Sequence, residues 1–216
     1  MSIAAPERYT ISGEAGAIEA LIEYPDTAFG SPRAVAVCCH PHPLFGGAMT
    51  NKVIHTVARS FVAAGAITLR FNFRGVGGSA GVHDEGRGEL RDLQVVVEWL
   101  QQRWPQLPLW LGGFSFGAWM VLRAQGQLNP ALLVTVAPPV GRWDFSEVMP
   151  PVCPWLTIQG TRDELVDAGQ VSAFVKEKSS TAECVLLQDA DHFFHARLHE
   201  VRDAIERFIK TQPCSE

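Results

Sequence analysis

Leu109-Trp-Leu-Gly-Gly-Phe-Ser-Phe-Gly-Ala118 is an apolar run that crosses two glycines to a serine and then reopens as a second apolar stretch. Residues 109–112 read as a short buried strand, and residues 116–127 carry apolar side chains at helical spacing. Ser115 therefore falls in the turn between a strand and a helix, inside Gly113-Phe-Ser-Phe-Gly117. A serine on so sharp a turn is held in a strained backbone conformation with its hydroxyl exposed. Side chains two residues before and two after it would collide, which is why both positions need glycine. The helix that follows begins with free N–H groups, able to stabilise negative charge that develops beside the serine.

Outward from this turn, the same alternation continues along the chain. Runs rich in β-formers occupy 34–39, 67–73, 109–112, 132–137, 155–159 and 183–187, and helix-like stretches occupy 52–64, 89–103, 116–127, 168–178 and 198–210. The runs are largely continuous in apolar residues, as strands buried on both faces should be. In the last helical stretch Val201, Ile205, Phe208 and Ile209 form one stripe. Strands alternating with helices of this length predict a three-layer α/β/α sandwich around a mostly parallel sheet. Ahead of the first alternation, period-two patterning over residues 7–24, broken around Gly13 and Gly16, predicts an antiparallel hairpin at one sheet edge. With no repeat or long linker, residues 1–216 read as a single domain.

Composition removes several classes of function. The 216 residues are 47% hydrophobic and 19% charged, with a formal net charge of −5. Such a chain is too apolar to be disordered and has no basic field for nucleic acid or an anionic membrane. No apolar run approaches the ~18 residues of a membrane span, and residues 1–10 lack the basic and apolar regions of a signal peptide. The cysteines, Cys38, Cys39, Cys153, Cys184 and Cys214, are odd in number and match no disulfide or zinc framework. A reduced, cytoplasmic protein is the expectation.

In a parallel sheet, ligands bind beyond the carboxyl ends of the strands, so the segments after each strand carry the functional information. A serine alcohol is a poor nucleophile until a base removes its proton, and that base needs an acid to orient it. Asp163 lies four residues past the run 155–159, in Gly160-Thr-Arg-Asp-Glu-Leu-Val-Asp167. His192 follows the run 183–187, in Gln188-Asp-Ala-Asp-His-Phe-Phe194. The order Ser115, Asp163, His192 is the one this arrangement of strands requires. Glu164, Asp167, Asp189 and Asp191 are rival acids. The first two read as solvated loop charges, and the other two lie too close to His192 in sequence to reach its ring.

These residues identify a resemblance. Gly113-Phe-Ser-Phe-Gly117, Gly160 with Asp163 and Val166, Asp191-His192-Phe193, and the turn Phe73-Arg-Gly-Val-Gly-Gly-Ser79 resemble the α/β-hydrolase superfamily over residues 34–210. The segment from His40 to Gly47, His-Pro-His-Pro followed by Phe-Gly-Gly, is similar to that of compact bacterial hydrolases. The resemblance implies the α/β-hydrolase fold, with Ser115 as nucleophile, His192 as base and Asp163 as orienting acid. It also implies an oxyanion hole built from the Phe116 N–H and one donor in the loop after residues 34–39. Pro41 and Pro43 have no N–H. The donor is His42 if His40 matches the family's strand-end histidine, and Leu44 if the match slides by two residues.

Lidded members of the superfamily insert a cap between the strands that correspond here to 132–137 and 155–159. Only residues 138–154 separate these, so no cap domain is expected. An open cleft favours small or exposed esters, thioesters or amides, with a carboxylesterase as the first reading. The implied partner is a small-molecule acyl substrate, and no cofactor is implied. An edge strand or the final helix would support a homodimer.

Other motifs read differently. Gly75-Val-Gly-Gly-Ser-Ala80 follows a strand but opens no helix, so it reads as a turn and not a dinucleotide site. His40 with His42, and His192 with His195 and His199, suggest a metal, but no carboxylate or cysteine cluster completes either set. His83-Asp-Glu85 reads as a solvated turn and helix cap, with an edge of the substrate cleft as the alternative, Arg70 and Arg74 as partners of carboxylates, and the six tryptophans as core and cleft wall. The competing functions are a non-catalytic binding protein of the same fold and a metal-dependent hydrolase using His40 and His42.

Overall fold

A computed structural model of the chain describes residues 5–26 and 30–212; Cys214 lies outside the described residues. The chain opens with β1 (Glu7–Gly13) and β2 (Gly16–Glu23), which pair antiparallel from Glu7 opposite Ile22 to Gly13 opposite Gly16. There follow β3 (Ala34–Cys39), α1 (Lys52–Ala63), β4 (Ala66–Phe71), α2 (Arg87–Arg103), β5 (Leu109–Phe114) and α3 (Phe116–Leu128). The order closes with β6 (Leu132–Val136), β7 (Trp155–Gly160), α4 (Ala168–Lys178), β8 (Glu183–Leu187) and α5 (Leu198–Thr211). Among the described residues these eight strands form one sheet, ordered β1-β2-β4-β3-β5-β6-β7-β8. β2 pairs antiparallel with β4, and every pair from β4 to β8 is parallel.

Period-two alternation on β3 explains the layers. Val35, Val37 and Cys39 face a core built with α2, α3 and α4, while Ala34, Ala36 and Cys38 face one built with α1 and α5. The α5 stripe of Val201, Ile205, Phe208 and Ile209 is buried in this second core, as its spacing predicts. Burial pushes the thiols of Cys38 and Cys39 up, so both stay protonated in the core.

Three elements have a boundary that moves by two residues and one strand has a different environment from the sequence reading, each for a local reason. β5 runs two residues past Gly112. A Cβ on Gly112 would come 2.8 Å from Val57 of α1, so this strand residue is glycine because a helix packs closely on it. β4 stops at Phe71, because Asn72 N–H turns to Glu19 O at 2.9 Å and Phe73 N–H to His40 Nε2 at 3.0 Å. α2 starts at Arg87, where the Glu89 carboxylate accepts the Gly86 N–H at 2.8 Å and closes the first turn. β8 is an edge strand with Leu186 exposed, and not a strand buried on both faces.

Two buried ion pairs tie neighbouring elements together, Arg70 on β4 with Glu23 on β2 and Arg74 after β4 with Asp92 on α2. Arg70 Nη2 donates to Glu23 Oε2 at 2.9 Å and its Nη1 to Met49 O at 2.5 Å; Arg74 grips Asp92 through Nε at 3.0 Å and Nη2 at 2.8 Å. Both arginines thus serve carboxylates, as their place beside a strand end suggests. Residues 75–80 form a turn in which Ser79 Oγ donates to Asn72 O at 2.6 Å.

The segment between β6 and β7 forms no helix and no cap. It runs over one end of the sheet, burying Phe145 and Val148 against the α4 side of the core. No helix among the described residues is long and apolar enough to cross a membrane.

Candidate active site

Ser115 sits between β5 and α3 with φ 52° and ψ −115°, a conformation that costs an L-residue on the order of 1–3 kcal/mol. The surrounding backbone leaves no room for relaxation. Ser115 N–H donates to Val136 O at 2.9 Å, and Ser115 O accepts from Trp119 N–H at 3.1 Å. A Cβ on Gly113 would lie 2.3 Å from Gly117 O, and one on Gly117 would lie 2.1 Å from Cys39 O. The two glycines therefore let the turn fold on itself and let α3 start against the end of β3.

The structure brings Ser115, His192 and Asp163 together. His192 Nε2 is 3.1 Å from Ser115 Oγ, and its Nδ1 is 2.8 Å from Asp163 Oδ2. The two loops that carry Asp163 and His192 are stitched to each other. Thr161 N–H donates to Leu187 O at 3.0 Å, Arg162 N–H to Ala190 O at 3.0 Å, and Asp189 N–H to Thr161 Oγ1 at 2.8 Å. Gly160 is the closest approach, since a Cβ there would meet Ala190 O at 2.3 Å. The His192 ring packs against Phe114 and Phe193, with centroids 5.2 Å away in each case.

Asp163 is fully committed. Its Oδ1 accepts from Leu165 N–H and Val166 N–H at 2.8 Å each, and its Oδ2 accepts from Gln159 Nε2 at 2.8 Å as well as facing His192. Burial pushes this carboxyl up, but the hydrogen bond and charge of His192, with the Gln159 and Leu165 donors, outweigh it and hold the group below its ordinary value. The rival acids have other partners. Asp167 caps α4 by accepting Gln170 N–H at 2.7 Å, and Asp191 faces His195 Nδ1 at 2.7 Å. Asp189 stands at φ 59° in the turn, and Glu164 Oε2 meets only the His192 backbone N–H, at 3.4 Å.

The loop after β3 is held by His40. This buried ring has Nδ1 2.6 Å from Pro41 O, and its Nε2 accepts Phe73 N–H at 3.0 Å. Burial, reinforced by His42 and opposed by the Pro41 carbonyl, lowers its pKa from 6.5 to about 4. With both nitrogens engaged, His40 offers no lone pair to a metal ion. Among the described residues no group of three or more His, Cys, Asp or Glu side chains is arranged around a common metal position. Leu44 N–H is also engaged, donating to His42 Nδ1 at 3.2 Å inside the one-turn helix Pro43–Phe45.

One group of residues beside this site was only partly foreseen. His42, His83, Glu85, Phe116, Trp119 and Trp143 line a cleft of about 250 Å³. His83 and Glu85 therefore edge the cleft, while their segment also forms the turn that closes the start of α2, with Arg87 N–H donating to Asp84 O at 2.9 Å. No spacing links these residues, because they come from four separate segments that only the folded chain joins.

A sheet in this order, with a strained serine between its central strand and a helix and with no cap, defines a lidless α/β hydrolase. The chain belongs to the serine aminopeptidase, S33 family, whose profile matches residues 30–153. Its fold superposes on a Xanthomonas campestris structure described as an α/β serine hydrolase without lid, with TM-score 0.91 and 38% identity, covering 99% of this chain and 100% of that one. A Coxiella burnetii structure described as an α/β serine hydrolase homologue gives TM-score 0.89 and 42% identity, covering 96% of this chain and 99% of that one. An uncharacterised protein of Rickettsia prowazekii (strain Madrid E) is 38% identical over 195 residues, 84% of this chain and 81% of its own length.

Proposed function

We propose that this hydrolase cleaves a small or exposed carboxylic ester through an acyl-enzyme on Ser115. One observation supports the reading above the rest. The His192 ring spans from Ser115 Oγ at 3.1 Å to Asp163 Oδ2 at 2.8 Å, with side-chain exposures of 3% for His192 and 0% for Asp163. In this reading Asp163 keeps the His192 proton on Nδ1, so that Nε2 takes the Ser115 proton as Oγ attacks the carbonyl carbon. The oxyanion is bound by the N–H groups of Phe116 and His42. His42 is preferred to Leu44 because the Leu44 N–H already has a partner. His192 Nε2–H then protonates the leaving alcohol, and water repeats the sequence on the acyl-enzyme. General-base help of this kind contributes ~10²–10⁴-fold, and each oxyanion donor is worth on the order of 10²–10³-fold.

The test is turnover of 4-nitrophenyl acetate by wild type, Ser115→Ala and His192→Ala, with a peptide 4-nitroanilide run alongside to separate ester from amide cleavage. Both variants are expected to fall to background while remaining folded. Ser115→Ala turnover close to wild type would overturn the mechanism.

A further inference from the structure

Resting on the acyl-enzyme reading, we propose that the 250 Å³ cleft lined by His42, His83, Glu85, Phe116, Trp119 and Trp143 is the acyl pocket, and that it selects a planar aromatic acyl group over a linear alkyl one.

Placement decides which half of the substrate enters it. His192 must protonate the leaving group, so the alcohol lies on the His192 side of the scissile carbon. Ser115, His192 and Phe193 do not line this cleft; it borders the site through Phe116, the residue after Ser115, and through His42, the two residues whose backbone N–H groups would hold the oxyanion. The group that enters is therefore the acyl portion. On the leaving-group side Phe193, 42% exposed, borders a separate cleft of about 520 Å³ that it lines with Asn51 and Leu198.

Shape and chemistry decide what fits. The wall is a cluster of rings. His42 lies 4.8 Å from His83, 5.1 Å from Phe116 and 5.4 Å from Trp143, and Trp119 lies 5.2 Å from Trp143 and 5.8 Å from Phe116. Two of the rings, Trp119 and Phe116, are held in place before any ligand arrives. Trp119 Nε1 donates to Asp144 O at 2.8 Å, and Phe116 is buried. A fixed aromatic wall rewards edge-to-face and offset contacts with another ring, which an alkyl chain cannot make. An apolar cavity of ~150 Å³ accommodates benzene, so 250 Å³ takes one ring and a short linker. A linear chain of nine carbons would have to coil or protrude.

Charges of both signs stand at the wall, so neither a cation nor an anion is favoured: the Glu85 carboxylate is part of the lining. The Arg123 guanidinium stands 4.7 Å from the Trp119 ring centroid, so a cation is already present behind the wall. Burial holds the His42 imidazole below its ordinary pKa, which leaves it an uncharged ring near neutral pH.

The experiment compares 4-nitrophenyl 3-phenylpropanoate with 4-nitrophenyl nonanoate, two nine-carbon acyl groups on one leaving group, each rate divided by its hydroxide-catalysed rate. Wild type is expected to favour the phenylpropanoate at least tenfold in kcat/KM. Trp143→Ala is expected to reduce that ratio to about twofold or less, and Trp143→Phe to retain most of it. A wild-type ratio near one, or a ratio that Trp143→Ala and Trp119→Ala both leave intact, overturns the acyl-pocket assignment. Should neither alanine variant fold, the wild-type ratio together with Trp143→Phe decides. Acetate turnover that depends on Ser115 would survive such a failure, whereas a wrong acyl-enzyme reading would remove Ser115 dependence for every substrate.

Discussion

Asp163→Asn isolates the orienting acid from everything else in the site. Asp163 Oδ1 holds two backbone donors, Leu165 N–H and Val166 N–H, at 2.8 Å each. An asparagine will place its carbonyl oxygen there, because its amide nitrogen cannot accept. Its NH₂ group must then occupy the Oδ2 position and point at His192 Nδ1. A donor facing Nδ1 forces the imidazole proton onto Nε2, where it confronts Ser115 Oγ and cannot accept the serine proton. Loss of the correct tautomer costs ~10⁴-fold in the worked serine-protease case, which corresponds to about 5.5 kcal/mol of barrier. Stability should change little. Gln159 Oε1 is buried with no hydrogen-bond partner among the described residues, so rotating the Gln159 amide supplies an acceptor for the new NH₂. The expected result is a fall of ~10⁴ in kcat for 4-nitrophenyl acetate, with unfolding free energy within about 1 kcal/mol of wild type by urea titration. Activity within tenfold of wild type would refute the tautomer argument. Loss of activity in Asp191→Asn with Asp163→Asn intact would move the acid elsewhere.

The strain at Ser115 predicts that Ser115→Gly is inactive yet more stable by about 1 kcal/mol, since glycine tolerates φ 52° and recovers part of the 1–3 kcal/mol stored there; a destabilised Ser115→Gly in thermal melts would contradict it. Gly117→Ala places a Cβ 2.1 Å from Cys39 O and is expected to cost more than 3 kcal/mol or abolish folding, checked by circular dichroism, with a wild-type melt as the contrary result. His40 predicts an acid-dependent term. Its folded pKa of about 4 lies below the unfolded 6.5, so the unfolded chain binds the proton first and stability falls as pH drops through that interval. The size is about 3 kcal/mol. His40→Gln removes this term, so urea titrations at pH 7 and pH 4 should show the gap between wild type and variant closing by that amount. Asp163 adds loss in the same direction as its depressed carboxyl protonates, but it is common to both proteins and cancels.

Much of this architecture is visible in the sequence because buried parallel strands and amphipathic helices leave different periodicities. The stripe on α5 and the continuous apolar run of β3 are read directly. What the sequence could not convey is which strand neighbours which: β3 lies between β4 and β5, and no residue in the three runs encodes that crossing. Glycine was the least transparent residue. Gly112 reads as strand, but the sequence does not say that it is small because α1 presses on it. Gly113, read as part of the turn, still lies inside β5 and is small because a Cβ there would come 2.3 Å from Gly117 O. At the site, Ser115, Asp163 and His192 were legible because each follows a strand end. The tryptophans read as core and cleft wall, but that Trp119, Trp143 and His83 share one wall was not legible, because it is assembled from α3, the β6–β7 excursion and the loop before α2, with no shared motif. The proposed preference for His42 over Leu44 rests on one ring nitrogen, His42 Nδ1, which takes the Leu44 N–H.

The central claim is that Ser115 is an activated nucleophile. Treatment of the folded protein with a fluorophosphonate, followed by peptide mass spectrometry, with and without prior chelation, tests it directly. The account predicts stoichiometric modification at Ser115, insensitive to the chelator and absent in His192→Ala. Folded protein that takes up no label, or label on another residue, would contradict it and return the fold to the role of a binding protein.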